Sequence, residues 1–223
     1  EVIPEDISLI FKKGLQADVP VLIGSTADEA TSFDPKMLNP GLSSVSYKEL
    51  TVSSIADILP KADEAIFDLY PVKNEELAKR SWVDFTTDAM FTAQMQKWGN
   101  LMSTVQSPAY LYLWDWYPLV NGTTEYRAFH AAEVPYVFGQ FDMFQIDISE
   151  RDLDFSKKMI KIWTNFAKTG NPSTQMVLWP EFNSSSNEYL SLGETIKVNK
   201  NLRIQKTQLI NEAYDKARVE FNN

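Results

Sequence analysis

His130 is the single histidine among 223 residues, and the chain contains no cysteine. An imidazole both takes and gives a proton near neutral pH, so His130 is the natural general base of this chain. Without a thiol, the nucleophile activated by such a base is a hydroxyl. A base of this kind needs a carboxylate on its other ring nitrogen, which fixes the tautomer and stabilises the imidazolium. Three carboxylates compete for that role. Asp28 and Glu29 lie in the loop after an apolar run, and Glu133 follows His130 by three residues. Glu133 also fits a local role at a helix start. Spacing alone does not choose among them, and a lone histidine is more often a structural residue than a catalytic one.

The elements around these residues decide whether they can meet. VPVLIG (19–24) predicts a short buried strand ending at Gly24, and its carboxyl end is where an α/β fold presents functional loops. Residues 34–46 predict a surface loop. Two short helices are expected between Tyr47 and Leu69, broken at Pro60. A long helix is expected over about 75–105, where Phe91, Met95, Trp98, Met102 and Val105 recur at three- and four-residue steps as a core-facing stripe. AYLYLWDWY (109–117) predicts a strand buried on both faces.

A strong amphipathic helix follows over Phe155–Lys168, stopped by Gly170-Asn171-Pro172. Two short strands are expected near 188–192 and 195–199, turning at Gly193-Glu194. Leu209, Ile210, Ala213, Tyr214, Ala217 and Phe221 mark a closing helix. Strands alternating with helices in this order predict part of an α/β layer fold.

Composition excludes several function classes. Hydrophobic residues make up 44% and aromatic residues 13%, ample for a core without disulfides. With no cysteine and one histidine, thiolate and imidazole-rich metal sites are excluded, and no cofactor is expected. A formal charge of −9 argues against nucleic acid or an anionic membrane surface as partner. No apolar run reaches the roughly 20 residues of a membrane span. The start, EVIPEDISLIF, lacks the basic end and long apolar core of a signal peptide, and it has no initiator Met, so it is expected to continue a longer chain.

Six segments carry a specific resemblance: VPVLIGSTADEATSF (19–33), YLYLW (110–114), FHAAEVPYVFG (129–139), KKMIKIWTNFAKTGNPS (157–173), WPEF (179–182) and LRIQ (202–205). In their order and spacing they resemble the C-terminal part of the type-B carboxylesterases, the family of cholinesterases and bacterial para-nitrobenzyl esterases. The resemblance spans nearly the whole chain. It implies an α/β-hydrolase fold with a Ser-Glu-His triad in that chain order. Glu29 matches the triad acid, His130 the base, and Glu133 a second acid that supports the site through hydrogen bonds. Asp88 and Arg203 match an ion pair that ties the long helix to the C-terminal segment. Ala30 stands where Gly is common, a mild departure.

The G-x-S-x-G nucleophile elbow and the Gly-rich oxyanion loop do not occur in this sequence. Both are expected before residue 1, which makes residues 1–223 the C-terminal part of one carboxylesterase domain. Alone, such a part is expected to be inactive, lacking both the nucleophile and oxyanion donors worth about 3 kcal/mol. It is expected to pair with the missing N-terminal part or to self-associate. The implied substrate is a small uncharged ester. Trp114, Trp116, Tyr117 and Phe129 are candidates either to line an apolar substrate pocket or to fill the core. A non-catalytic binding or adhesion member of the same fold is the alternative, since fold does not fix function.

Overall fold

The computed structural model describes residues 5–62 and 64–221; residues 1–4 of the proposed start and the Phe221 side chain of the closing stripe lie outside what is described. Helix α1 (Ile7–Lys12) is capped by the Asp6 side chain and leads into strand β1 (Val21–Thr26). A 3-10 turn (Glu29–Phe33) follows at once, then a short helix α2 (Pro35–Leu38) inside the stretch expected to be loop. Helix α3 (Tyr47–Ile58) opens with a reciprocal capping box between Ser46 and Glu49. Helix α4 (Ile66–Leu69) comes after the Pro60 break, as the sequence predicts.

Helices α5 (Glu75–Thr87) and α6 (Ala93–Leu101) form one rod interrupted by a π-helical turn at Asp88–Thr92. This turn corrects the expected core-facing stripe. A π turn adds a residue to the repeat and rotates everything after it. The buried positions become Ala89, Thr92, Ala93, Gln96 and Met102, while Trp98 is 38% exposed. Met95 and Val105 keep partial contact with the core, and Phe91 faces His130 instead.

Strand β2 (Ala109–Asp115) is buried on both faces. Helix α7 (Val134–Phe138) follows the His130 loop and ends on Gly139 in the left-handed conformation. Helix α8 (Glu150–Thr169) runs from a Ser149–Asp152 capping box to Gly170, whose φ of 73° suits a residue without Cβ. Strands β3 (Glu188–Gly193) and β4 (Ile196–Lys200) form the expected hairpin, and α9 (Ile204–Phe221) closes the described chain.

The sheet order is β1-β2-β3-β4. β1 pairs with β2 in parallel, Val21 opposite Ala109 through Thr26 opposite Trp114. β2 pairs with β3 in parallel, and β3 with β4 antiparallel. The two-residue alternation of β2 feeds two cores. Tyr110, Tyr112 and Trp114 pack with Phe155, Met159 and Ile162 of α8 on one face. Ala109 and Leu111 join Ile23, Met102, Phe182 and Leu202 on the other. Each large apolar side chain so buried contributes roughly 1.5–3 kcal/mol. Parallel strands between helical layers make this an α/β fold, in keeping with the expected part of an α/β-hydrolase.

The four aromatic candidates for a pocket or a core differ in placement. Trp114, Trp116 and Phe129 are buried in the α8-facing core, and Trp116 also lines a cavity with Arg151, Phe155 and Ile162. Tyr117 is half-buried and holds Arg127 through its hydroxyl.

Candidate active site

The site forms where β1 and β2 deliver their chains at one edge. Ala27 N–H still donates to the Trp114 carbonyl at 2.8 Å, so the strand ladder holds the loop to the last residue before the turn. The 3-10 turn then tips Asp28 and Glu29 in different directions.

Glu29 is 4% exposed. Its Oε1 accepts the Thr26 backbone N–H at 2.8 Å, and its Oε2 lies 2.6 Å from His130 Nδ1. The Ala30 N–H donates to Thr87 Oγ1 at 3.2 Å, fixing the turn against α5. Burial raises the Glu29 pKa above its usual value, and the Thr26 N–H and His130 pull against that rise. Its position among the three carboxylates is therefore distinct, because it alone touches the imidazole.

His130 has a side chain 45% exposed. Its ring tilts against Phe33 at 5.2 Å and Phe91 at 5.1 Å, and those two rings stack on each other. With Nδ1 committed to Glu29, no hydrogen bond among the described residues engages Nε2. Nε2 then presents its lone pair outward, as a base for a hydroxyl requires. Phe33 and Phe91 were not singled out as site residues by sequence. Phe33 lies in the strand-loop segment that carries the resemblance, and Phe91 has the helical spacing of the core stripe, from which the π turn displaces it.

Glu133 does not touch His130. Its Oε1 accepts the Tyr112 hydroxyl at 3.4 Å, and its Oε2 is buried with no hydrogen-bond partner among the described residues. Burial raises its pKa, and the nearby Glu29 charge adds to the rise. Tyr112 is pushed well up by burial and by these same two carboxylates.

Asp88 and Arg203 meet behind the site. Arg203 Nη1 lies 2.8 Å from Asp88 Oδ1, and Arg203 Nη2 donates to the Ala27 carbonyl at 2.9 Å. Tyr70 donates to the other Asp88 oxygen at 3.0 Å. Burial works against the Arg203 charge, but Asp88, Asp84 and Asp28 hold its pKa above the usual value. The guanidinium thus links the π turn, the start of α9 and the loop bearing Glu29. Among the described residues no group of three or more His, Cys, Asp or Glu side chains could hold a metal, and no helix is long and apolar enough to cross a membrane.

The sequence profile described as the carboxylesterase family matches residues 1–210. The chain belongs to the carboxylesterase family. It is 30% identical over 213 residues to the para-nitrobenzyl esterase of Bacillus subtilis (strain 168), an alignment covering 93% of this chain and 41% of that enzyme. It is 27% identical over 241 residues to human neuroligin-2, covering 92% of this chain and 29% of that protein. A solved PNB esterase superposes with a TM-score of 0.72 at 30% identity, and a thermophilic PNB esterase with 0.73 at 30%. Each covers 93% of this chain and 41% of the solved one. The chain therefore spans well under half the length of these carboxylesterase-family relatives.

Proposed function

We propose that this chain supplies the acid and the base of a serine carboxylesterase triad, with Glu29 as acid and His130 as base. The serine and the oxyanion donors come from a segment outside these residues, since the sequence holds no G-x-S-x-G elbow. The observation that carries the reading is the 2.6 Å contact between Glu29 and His130 Nδ1, with Nε2 left unengaged.

In the proposed reaction Nε2 takes the serine proton as the hydroxyl attacks the ester carbonyl. The imidazolium, held by Glu29, returns that proton to the leaving alkoxide. Water then repeats the sequence on the acyl-enzyme. Glu133 supports the site from behind, and the Asp88–Arg203 pair anchors the acid loop through the Ala27 carbonyl. The proposed substrate class is the small uncharged carboxylic ester, for which the para-nitrobenzyl esterase relative is the guide.

The test is hydrolysis of p-nitrophenyl acetate and butyrate by the protein that contains this chain together with a nucleophile segment. His130→Ala and Glu29→Gln are expected to lower kcat by about 10⁴-fold. The 223-residue chain alone is expected to be inactive. Activity unchanged in either variant sinks the triad assignment. The likeness to neuroligin-2 supports a second reading, a non-catalytic binding or adhesion member. A well-folded parent without esterase activity would favour it.

A further inference from the structure

Asp28, the neighbour of the proposed acid, is fully buried, and its hydrogen bonds go to residues other than His130. Its carboxylate sits between two guanidiniums. Oδ1 accepts from Arg127 Nε at 2.9 Å and from Arg80 Nη1, and Arg80 also reaches Asp84 within α5. Oδ2 faces the Ala128 N–H at 3.4 Å, and the Asp28 N–H donates to the Ala128 carbonyl at 3.0 Å. Thr31 Oγ1 adds a further stitch by reaching the Tyr126 carbonyl at 2.8 Å. The bonds made by Arg127, Ala128 and Tyr126 join the loop that bears Glu29 to the loop that bears His130, and Arg80 ties Asp28 to α5.

Arg127 carries the decisive detail. Its φ is +54°, in the left-handed region that a residue with a Cβ enters only at a cost. Such a backbone state persists only when surrounding contacts over-determine it. Here the side chain does so: Nε is held by Asp28, Nη2 donates to Tyr117 at 2.8 Å, and the guanidinium lies over the Tyr117 ring. The turn at Arg127 sets the direction in which the chain runs through Ala128 and Phe129 into His130.

We infer that Asp28 is a positioning residue, which holds Arg127 in its left-handed turn and thereby sets the distance from His130 to Glu29. This deepens the triad reading and rests on it for any effect on rate. The physical claim about the imidazole does not depend on catalysis. A misplacement of about 1 Å at a reacting group costs on the order of 10²-fold in rate.

The sole histidine makes the claim directly measurable. Histidine labelled with ¹⁵N in this chain gives one imidazole, and the Nδ1 proton bonded to Glu29 gives one downfield resonance. We expect that resonance in the parent, and its loss in Asp28→Asn and in Arg127→Ala. Arg127→Gly should keep it, because glycine enters the left-handed region freely without a clamp. The Asp28→Asn, Arg127→Gly double variant should keep it too. In the protein that also contains the nucleophile, Asp28→Asn should lower kcat about 10²-fold with KM unchanged.

A folded Asp28→Asn chain with the parent resonance overturns the inference, as does an Arg127→Gly chain that loses it like Arg127→Ala. If Asp28→Asn does not fold, the Arg127 pair decides. A parent without the resonance overturns the Glu29–His130 pair and the clamp together. The resonance in this chain, together with no ester hydrolysis by the protein that also contains the nucleophile segment, removes the esterase reading and leaves the clamp standing.

Discussion

Three carboxylates lie within reach of one imidazole loop, and their environments separate them. Glu29 bonds His130, Asp28 is held by two arginines, and Glu133 stands behind both with one oxygen unpartnered among the described residues. Glu133 therefore bears the cost of burial with one oxygen left unpartnered among the described residues. Its folded pKa is raised above the usual 4.5 by burial and by Glu29. The folded state thus binds that proton more tightly than the unfolded chain does. The stability it contributes is fully present below pH 4.5 and is lost as pH rises through the folded value. Glu133→Gln removes the charge and keeps the shape. We expect its Tm to match the parent's at pH 4 and to exceed it at pH 7. A parent whose Tm relative to the variant stays level or rises over that interval would contradict this account. Activity should fall in the same variant if Glu133 supports the site, so gain of stability and loss of rate are expected together.

At the scale of elements, much of the architecture follows from pattern. The alternation of AYLYLW builds a strand that feeds two cores, and the Ser149 cap with Gly170 brackets the strongest amphipathic helix. Glu29 and His130 were recognisable through the segments that carry them, but their pairing was not legible from spacing. Residues 28 and 29 are adjacent, and only the 3-10 turn after β1 sends one to Arg127 and the other to His130. The π turn was equally hidden, because Phe91, Met95 and Trp98 keep helical spacing whether or not a residue is inserted. Arg203 anchors that turn through Asp88, which is fully buried while the Arg203 side chain keeps 19% exposure. Asp88→Ala removes the nearest carboxylate of Arg203 at the back of the site, leaving Asp84 at 4.0 Å. We expect a loss of about 3–5 kcal/mol in urea unfolding, and a loss below about 1 kcal/mol would mean that the pair is solvated in practice. Gly24→Ala tests the strand side of the same frame. A Cβ there would meet the Tyr112 ring and carbonyl at 2.5 Å, inside β1–β2 pairing. The expected cost is about 1–3 kcal/mol by the same measurement, and a neutral result would show that β1 shifts away from β2 freely.

For the whole molecule, the sheet has two ends of unequal character. At one end β4 is short, with exposed residues Lys197, Val198 and Lys200 along it, and its two lysines suit an edge that faces water. At the other end β1 pairs with β2 on one side and with no strand among the described residues on its other side. Val21 and Ala27 donate toward β2, so by the alternation of a strand the backbone groups of Leu22 and Gly24 point away from it. β1 is uncharged along its length, with the sequence VLIGST, and it carries no proline or lysine to discourage pairing. An edge of this kind recruits another strand. In a carboxylesterase the expected recruit is the remainder of the sheet, and in its absence the recruit is a second copy of this chain. Light scattering over a concentration series of the 223-residue chain is expected to show mass rising with concentration. Co-expression with an N-terminal portion of a family member should return a species of fixed mass containing one copy of each. A monodisperse monomer at high concentration would show that the Leu22 and Gly24 groups are satisfied by water. The β1 edge would then have no part in assembling the site.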